Sequence, residues 1–158
     1  MHASCMQIVS GGQTGADRAA LDVALELGLE CGGWVPLGRQ AEDGTIPQHY
    51  PSLREADSEL PAVRTELNVR DSDATLIVSH GRLVGGTALT KSLVTRCGKP
   101  LLHLDLDSIS EREASARLRE WLERIRPGRL NVAGPRESED PGIHAATKRV
   151  LRAALGNV

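Results

Sequence analysis

The amino-acid sequence predicts a single α/β domain of the Rossmann-like type, with a parallel sheet of about five strands and helices on both faces. Short apolar runs recur along the chain, and a helical pattern follows each of them. The run at 74–78 (ATLIV) is uninterrupted, as expected of a parallel strand that is covered on both faces. A chain of 158 residues is long enough to bury its own core, so residues 1–158 are predicted to form one domain.

The first element is a strand, a tight turn and a helix within residues 6–29. The turn at 10–15 (SGGQTG) carries three glycines and lies directly before the helix. Free amide groups and a partial positive charge at a helix start are typical of an anion site. The turn matches neither the dinucleotide fingerprint nor the P-loop in full. A second interpretation therefore stays open, in which Thr14 and Asp17 form a capping box that satisfies the helix itself.

The other elements follow in the same alternating order. Further strands are expected at 30–35, 74–78, 101–106 and 130–133. Further helices are expected at 60–71, at 87–97 with Thr87 as the cap, after a capping box at 108–111, and from Pro141 onward. The segment 36–61 is rich in proline and glycine and shows no periodicity, so we expect a functional loop there, in which Arg39 is the residue of interest.

Three glycine-bearing turns follow strand candidates, at 10–15, 85–87 and 134–136. Ligands of open α/β sheets bind beyond the carboxyl ends of the strands, so we expect these turns to meet at one ligand site. Backbone amides would hold a phosphate, hydroxyl groups would add donors, and arginine side chains would supply fork-shaped partners. The predicted ligand-binding residues are Gly11, Gly12, Gln13, Thr14, Gly15, Asp17, Arg64, Gly85, Gly86, Thr87, Gly134 and Arg136.

Composition narrows the choice of partners. The net charge is -2 and the 19 Lys and Arg residues are scattered, so no nucleic-acid partner is expected. Cys5, Cys31 and Cys97 lack paired spacing, and the histidines are dispersed, so we expect neither a disulfide framework nor a directly bound metal. No run suggests a membrane span or a leader, which indicates a cytoplasmic protein. A homo-oligomer is left open.

Four stretches of the sequence are specific enough to compare with known families. They are SGGQTGADRAALDVALELG at 10–28, GGWVPLGRQAEDGTIP at 32–47, RTELNVRDSDATLIV at 64–78 and LNVAGPRESEDPGI at 130–143. These stretches resemble the family of proteins named putative molybdenum carriers, a branch of the lysine-decarboxylase-like Rossmann-fold group. The resemblance implies a carrier or binding protein with a pterin-phosphate ligand, the molybdenum cofactor. We therefore expect a small phosphate-bearing ligand, either a molybdopterin-like cofactor or a nucleotide.

The wider group also includes enzymes that remove ribose phosphate from cytokinin nucleotides. Part of their pattern is similar to the Gly-Gly-Thr at 85–87, but Leu89 and Thr90 stand where those enzymes carry glutamates. We therefore expect a non-catalytic binding protein. The alternative is a nucleotide phosphoribohydrolase that uses Asp17 or Glu66 as a substitute carboxylate. A nicotinamide-dependent oxidoreductase ranks third, because no acidic residue follows the second strand closely.

Overall fold

The computed structural model describes residues 6–156. Its strands, in chain order, are β1 (Gln7–Val9), β2 (Cys31–Val35), β3 (Gln40–Ala41), β4 (Gly44–Thr45), β5 (Leu53–Glu55), β6 (Ala74–Ser79), β7 (Leu101–Asp105) and β8 (Arg129–Ala133). Six of them form one parallel sheet in the order β5-β2-β1-β8-β6-β7. The predicted Rossmann-like architecture is confirmed, with six strands in the sheet instead of about five.

Five helices cover the two faces of this sheet. They are α1 (Ala16–Leu27), α2 (Pro61–Arg70), α3 (Gly85–Cys97), α4 (Glu111–Ile125) and α5 (Ile143–Leu155). Helices α1, α4 and α5 pack together on one face, and α2 packs against α3 on the other. Leu76 and Val78 of β6 belong to the core cluster under α1, α4 and α5, whereas the buried Ile77 between them is not part of it. This alternation is expected of a strand that is covered on both faces.

The strand missed by sequence analysis is β5, which lies within the segment 36–61. It has three residues, Leu-Arg-Glu, of which one is half-buried and two are exposed, so it carries no hydrophobic pattern. The same segment holds the antiparallel hairpin of β3 and β4, with Glu42 and Asp43 at its tip. The segment predicted to be a functional loop therefore contains three short strands that were not predicted, and its functional role stays a prediction. Sequence analysis that relies on apolar periodicity does not detect polar edge strands or strands of two residues.

Two helix starts also differ from expectation, because the predicted residues do not cap them. Helix α3 begins after the extended residue Val84, so Thr87 lies inside its first turn and does not cap it. Helix α4 is capped by Ser110, whose Oγ accepts a hydrogen bond from the Glu113 amide at 3.1 Å. The hydroxyl of Ser108, the predicted cap, donates instead to the aspartate that ends β7.

The start of α5 lies two residues beyond the predicted Pro141. The helix begins at Ile143 after Gly142, which has a positive φ of 91°. The Glu137 carboxylate accepts hydrogen bonds from the amide of Gly142 at 2.7 Å and from that of His144 at 3.0 Å. A side chain from the preceding turn therefore occupies the amino end of α5.

Cys31 is a buried free thiol and Cys97 an exposed one, whereas Cys5 lies outside the described residues. None of the helices within residues 6–156 has the length and apolar character that crossing a membrane requires.

Candidate functional site

The three predicted turns follow β1, β6 and β8, which are the central strands of the sheet. At their carboxyl ends lies a cleft of ≈ 360 Å³, bounded by α1 below and by the first turns of α2 and α3. Eight of the predicted residues line it, and their role in binding remains a prediction. These eight are Gln13, Asp17, Arg64, Gly85, Gly86, Thr87, Gly134 and Arg136.

Two glycines of the first turn face the protein instead of the cleft. A Cβ atom at Gly12, where φ is 75°, would lie 2.9 Å from Cδ1 of Ile46. Gly11 lies beneath the guanidinium of Arg64, whose Cζ would be 2.8 Å from an added Cβ. Gly11 therefore leaves room for an arginine that lines the cleft, and Gly12 leaves room for a core side chain.

Gly15 and Gly134 allow the first and third turns to pack against each other. A Cβ atom at Gly15 would lie 2.3 Å from the carbonyl oxygen of Pro135. A Cβ atom at Gly134 would lie 2.6 Å from Cβ of Ala16, which follows the first turn, and 2.3 Å from the carbonyl oxygen of Val78 in β6. The amide of Ala16 donates to the same Pro135 oxygen at 3.3 Å. These glycines hold the edge of the cleft together, because backbone approaches this close exclude any side chain.

The amino end of α3 forms one wall of the cleft. Within residues 6–156 no side chain caps this helix, so the amides of Gly85, Gly86 and Thr87 are left for an outside acceptor. A Cβ atom at Gly86 would meet nothing within 4 Å in the described chain, which makes this wall open to a ligand. The free amides and the helix dipole together favour an anion at this position.

Asp17 and Arg64 form the opposite side of the cleft. Asp17 is only 5% exposed, and Oδ2 accepts a hydrogen bond from the Gln13 amide at 3.3 Å. Burial raises the pKa of the Asp17 carboxyl from 3.8 to about 6, although the nearby Arg64 charge opposes the shift. Arg64 Nη1 donates to Thr65 Oγ1 at 2.9 Å, but its buried Nε has no partner among the described residues. Because Nε is fully buried beside Gly11, a ligand in the cleft would meet the rest of the Arg64 side chain.

Ser10 supports the first turn from below and does not reach the cleft. Its hydroxyl donates to the Asp17 carbonyl oxygen at 2.8 Å and accepts from the Gly12 amide at 3.2 Å. The capping box predicted as the alternative for Thr14 and Asp17 is not formed. The N-cap residue of α1 is Gly15, and no side chain of the described residues caps that helix.

The rim of the cleft carries a residue that sequence analysis did not single out, Glu42 of the β3–β4 hairpin. Its carboxylate accepts a hydrogen bond from the Thr14 hydroxyl and lies 3.5 Å from Nε of Arg136. Its amide donates to Oε1 of Gln13 at 2.9 Å. Arg136 also lies 3.6 Å from Glu139. The predicted anion-binding arginine is therefore shared between two carboxylates of the chain.

Of the two carboxylates considered for hydrolysis, only Asp17 lines the cleft, because Glu66 is exposed on the other side of α2. Leu89 and Thr90 line the cleft at the positions where the related enzymes carry glutamates. Arg39, the other residue of interest, donates through Nη2 to the Ile46 carbonyl oxygen at 3.2 Å. It stabilises the hairpin and is not a residue of the cleft.

Possible metal ligands are dispersed in the structure as they are in the sequence. Among residues 6–156 no three His, Cys, Asp or Glu side chains are grouped so that they would hold a metal ion. Neither cysteine nor histidine occurs among the described residues that line the cleft.

The fold defines a class of protein, the Rossmann-like α/β domains, and in such open sheets ligands bind beyond the carboxyl ends of the strands. The model of the circularly permutated YpsA SLOG family matches residues 8–155, and the chain belongs to this family.

A crystal structure from Syntrophus aciditrophicus SB is similar to the whole chain, and its protein is named "Putative molybdenum carrier protein". The two proteins are 48% identical, and the match covers 97% of this chain and 96% of that chain with a TM-score of 0.93. No curated protein matches the chain. The resemblance drawn from the sequence is confirmed by this relative and by the family.

Proposed function

We propose that the protein binds a small phosphate-bearing ligand, either a nucleotide or a molybdopterin-like cofactor, in the cleft at the carboxyl edge of the sheet. The observation that carries the proposal is the open amino end of α3, where the amides of Gly85, Gly86 and Thr87 face an accessible cleft. Helix amino ends of this kind are common phosphate sites in α/β folds. Arg64 supplies a charged side chain on the opposite side of the cleft.

The two sides of the cleft suggest how such a ligand is oriented. The phosphate is placed against α3, because the free amides and the dipole are there. Asp17 is the acceptor for a ligand hydroxyl or amine, since its carboxyl group is buried and lines the same cleft. A ligand group that donates to Asp17 would replace part of the hydration that the carboxylate lost on burial.

The name of the Syntrophus relative suggests a molybdenum cofactor as one candidate ligand. The cleft suits the phosphate of such a cofactor, because it offers helix amides and an arginine. It offers no thiolate or imidazole among the described residues, so the chain would hold the cofactor through its phosphate and not through the metal. We propose binding without catalysis.

The buried Asp17 favours a second candidate function, hydrolysis of the bond between a base and ribose phosphate. In that case, release of free base from AMP would be measurable and would be lost in Asp17→Asn. If AMP stays intact in the presence of the protein, only the binding function remains.

Gly86→Ala tests the binding site without disturbing the fold. A Cβ atom at Gly86 has room within the described chain, and alanine in a helix is favoured over glycine by about 0.5–1 kcal/mol, so the variant should be slightly more stable. The same atom points toward the amino end of the helix, where the phosphate is placed. We expect the affinity for AMP, measured by calorimetry, to fall by about tenfold or more, as loss of one charge-assisted hydrogen bond would produce.

The Gly86→Ala variant is thus expected to be more stable than the wild-type protein and to bind AMP more weakly. AMP, GMP and inorganic phosphate serve as probes for the wild-type protein and the variant. Equal affinities of the two proteins would place the phosphate elsewhere. If the wild-type protein binds none of these probes and no pterin phosphate, the proposed function is wrong.

A further inference from the structure

The carboxylate of Glu42 is surrounded by donors from two other turns of the chain. It accepts hydrogen bonds from the hydroxyls of Thr14 and Ser138, and from the Ser138 amide at 3.1 Å. Nε of Arg136 lies 3.5 Å away. Two hydroxyls, one amide and one guanidinium are the donors that proteins use to hold phosphate or carboxylate ligands. Glu42 therefore occupies an anion subsite that the protein itself has built.

The subsite adjoins the cleft. Arg136 belongs to both, since its side chain lines the cleft and is half-exposed. Glu42 is not among the described residues that line the cleft, so it approaches the arginine from the outer side. The hydrogen bonds from Ser138 and Thr14 lower the pKa of Glu42, because they stabilise the charged carboxylate.

The hairpin that carries Glu42 is anchored independently of this carboxylate. Asp43 receives two hydrogen bonds from the guanidinium of Arg18, at 2.8 Å and 3.1 Å. Ile46 is fully buried at the other end of the hairpin. Rotation of the Glu42 side chain alone would therefore empty the subsite, and the hairpin backbone would stay in place.

We propose that Glu42 is an internal competitor for a second anionic group of the ligand, at a subsite formed by Thr14, Arg136 and Ser138. The ligand class is then a molecule with two anionic groups, such as a nucleoside diphosphate. One group lies at the amino end of α3, and the other replaces the Glu42 carboxylate. This inference rests on the proposed function, because it adds a second subsite to the same cleft.

Competition from Glu42 lowers the affinity of the wild-type protein for a doubly anionic ligand. Only those protein molecules in which Glu42 has left the subsite can bind the second anionic group. The apparent affinity for the ligand therefore falls in proportion to the fraction of such molecules. A nucleoside monophosphate fills only the α3 end and is affected little. The ratio of the affinities for ADP and AMP therefore reports on the subsite.

Glu42→Gln tests the proposal in the full chain. The neutral amide competes less well than a carboxylate, so affinity for ADP should rise by about tenfold while affinity for AMP changes by less than about twofold. Glu113→Gln is the matched control, because it removes one negative charge from an exposed site on α4. The control should leave both affinities unchanged.

Each outcome of these titrations decides between the two proposals. Equal ADP affinities for Glu42→Gln and the wild-type protein would overturn the competitor role, and a weaker affinity in the variant would make Glu42 a ligand contact instead. If AMP still binds and Gly86→Ala still weakens it, the proposed function stands without the second subsite. If neither nucleotide binds to either protein, both proposals are wrong.

Discussion

Replacing Asp17 with asparagine is expected to stabilise the protein at neutral pH by about 2–3 kcal/mol, as an order of magnitude. The reason is that burial raises the pKa of Asp17 from 3.8 to about 6 in the folded protein. The folded state therefore keeps a proton in the window between these two pKa values that the unfolded state has already lost. The free energy of unfolding of the wild-type protein falls as the pH rises through that window, and above it the full penalty of the buried charge remains.

Denaturant unfolding of the wild-type protein and Asp17→Asn between pH 4 and pH 8 measures this effect. The difference in unfolding free energy should be small at pH 4, grow with pH, and level off above about pH 6. Asp43→Asn is the matched control, because the Arg18 hydrogen bond lowers the pKa of Asp43. That variant should be less stable than the wild-type protein at neutral pH, and the loss should shrink as the pH falls.

The difference in unfolding free energy between Asp17→Asn and the wild-type protein is expected to depend on pH. A difference that does not change with pH, or a loss of stability in the variant at pH 8, would contradict the claim that the buried Asp17 carboxylate destabilises the folded protein. The expected result would support a role in the cleft, since groups with raised pKa values are concentrated at functional sites. Asn retains an oxygen that accepts the hydrogen bond from the Gln13 amide, so packing of the turn changes little.

Gly15→Ala is expected to destabilise the protein by more than about 4 kcal/mol, or to prevent folding, because two backbone effects combine. The first is the positive φ of 80°, and the second is the approach to the Pro135 carbonyl oxygen at 2.3 Å from the added Cβ. Gly28→Ala is the matched control. It has a similar φ of 71°, but its added Cβ would meet nothing within 4 Å in the described chain.

The control should lose only about 1–2 kcal/mol from its left-handed conformation. The larger loss at Gly15 combines the contact between the turns with the strain of a φ,ψ pair of 80° and -132°, which lies outside the left-handed region. Chemical denaturation of both variants gives the two values, and expression of soluble protein is the first readout for Gly15→Ala. Similar losses for the two variants would mean that the first and third turns do not need to touch, and that the edge of the cleft is not held together at Gly15.

The sequence was sufficient to predict the parallel sheet and the edge of the sheet at which the three glycine-bearing turns meet. Buried parallel strands have continuous apolar runs, and the carboxyl ends of such strands share one edge, so the turns after β1, β6 and β8 had to meet. The strand β5 and the β3–β4 hairpin were missed because they are short, polar and at the periphery. The contact between Glu42 and Thr14 was also missed, since it joins residues 28 positions apart through a hairpin that has no sequence pattern.

The role of the glycines was the least predictable feature of the site. Glycine is required where a ligand approaches the backbone closely, and it is equally required where another part of the chain does so. The sequence alone does not distinguish the two cases. Gly12 faces Ile46 and Gly15 faces Pro135, whereas Gly86 faces the open cleft. Only the tertiary contacts separate these cases, so the sequence predicted where the turns meet better than it predicted which glycines face the cleft.

Titration of the ¹⁵N-labelled protein with AMP, followed by amide NMR, tests the central claim most directly. The account predicts saturable shifts of the Gly85, Gly86 and Thr87 amides, because the phosphate accepts hydrogen bonds from the amino end of α3. Smaller shifts should extend to the residues around Asp17, and amides of α4 on the far face should not change. Saturable shifts confined to residues outside the cleft, with the three α3 amides unmoved, would contradict the claim.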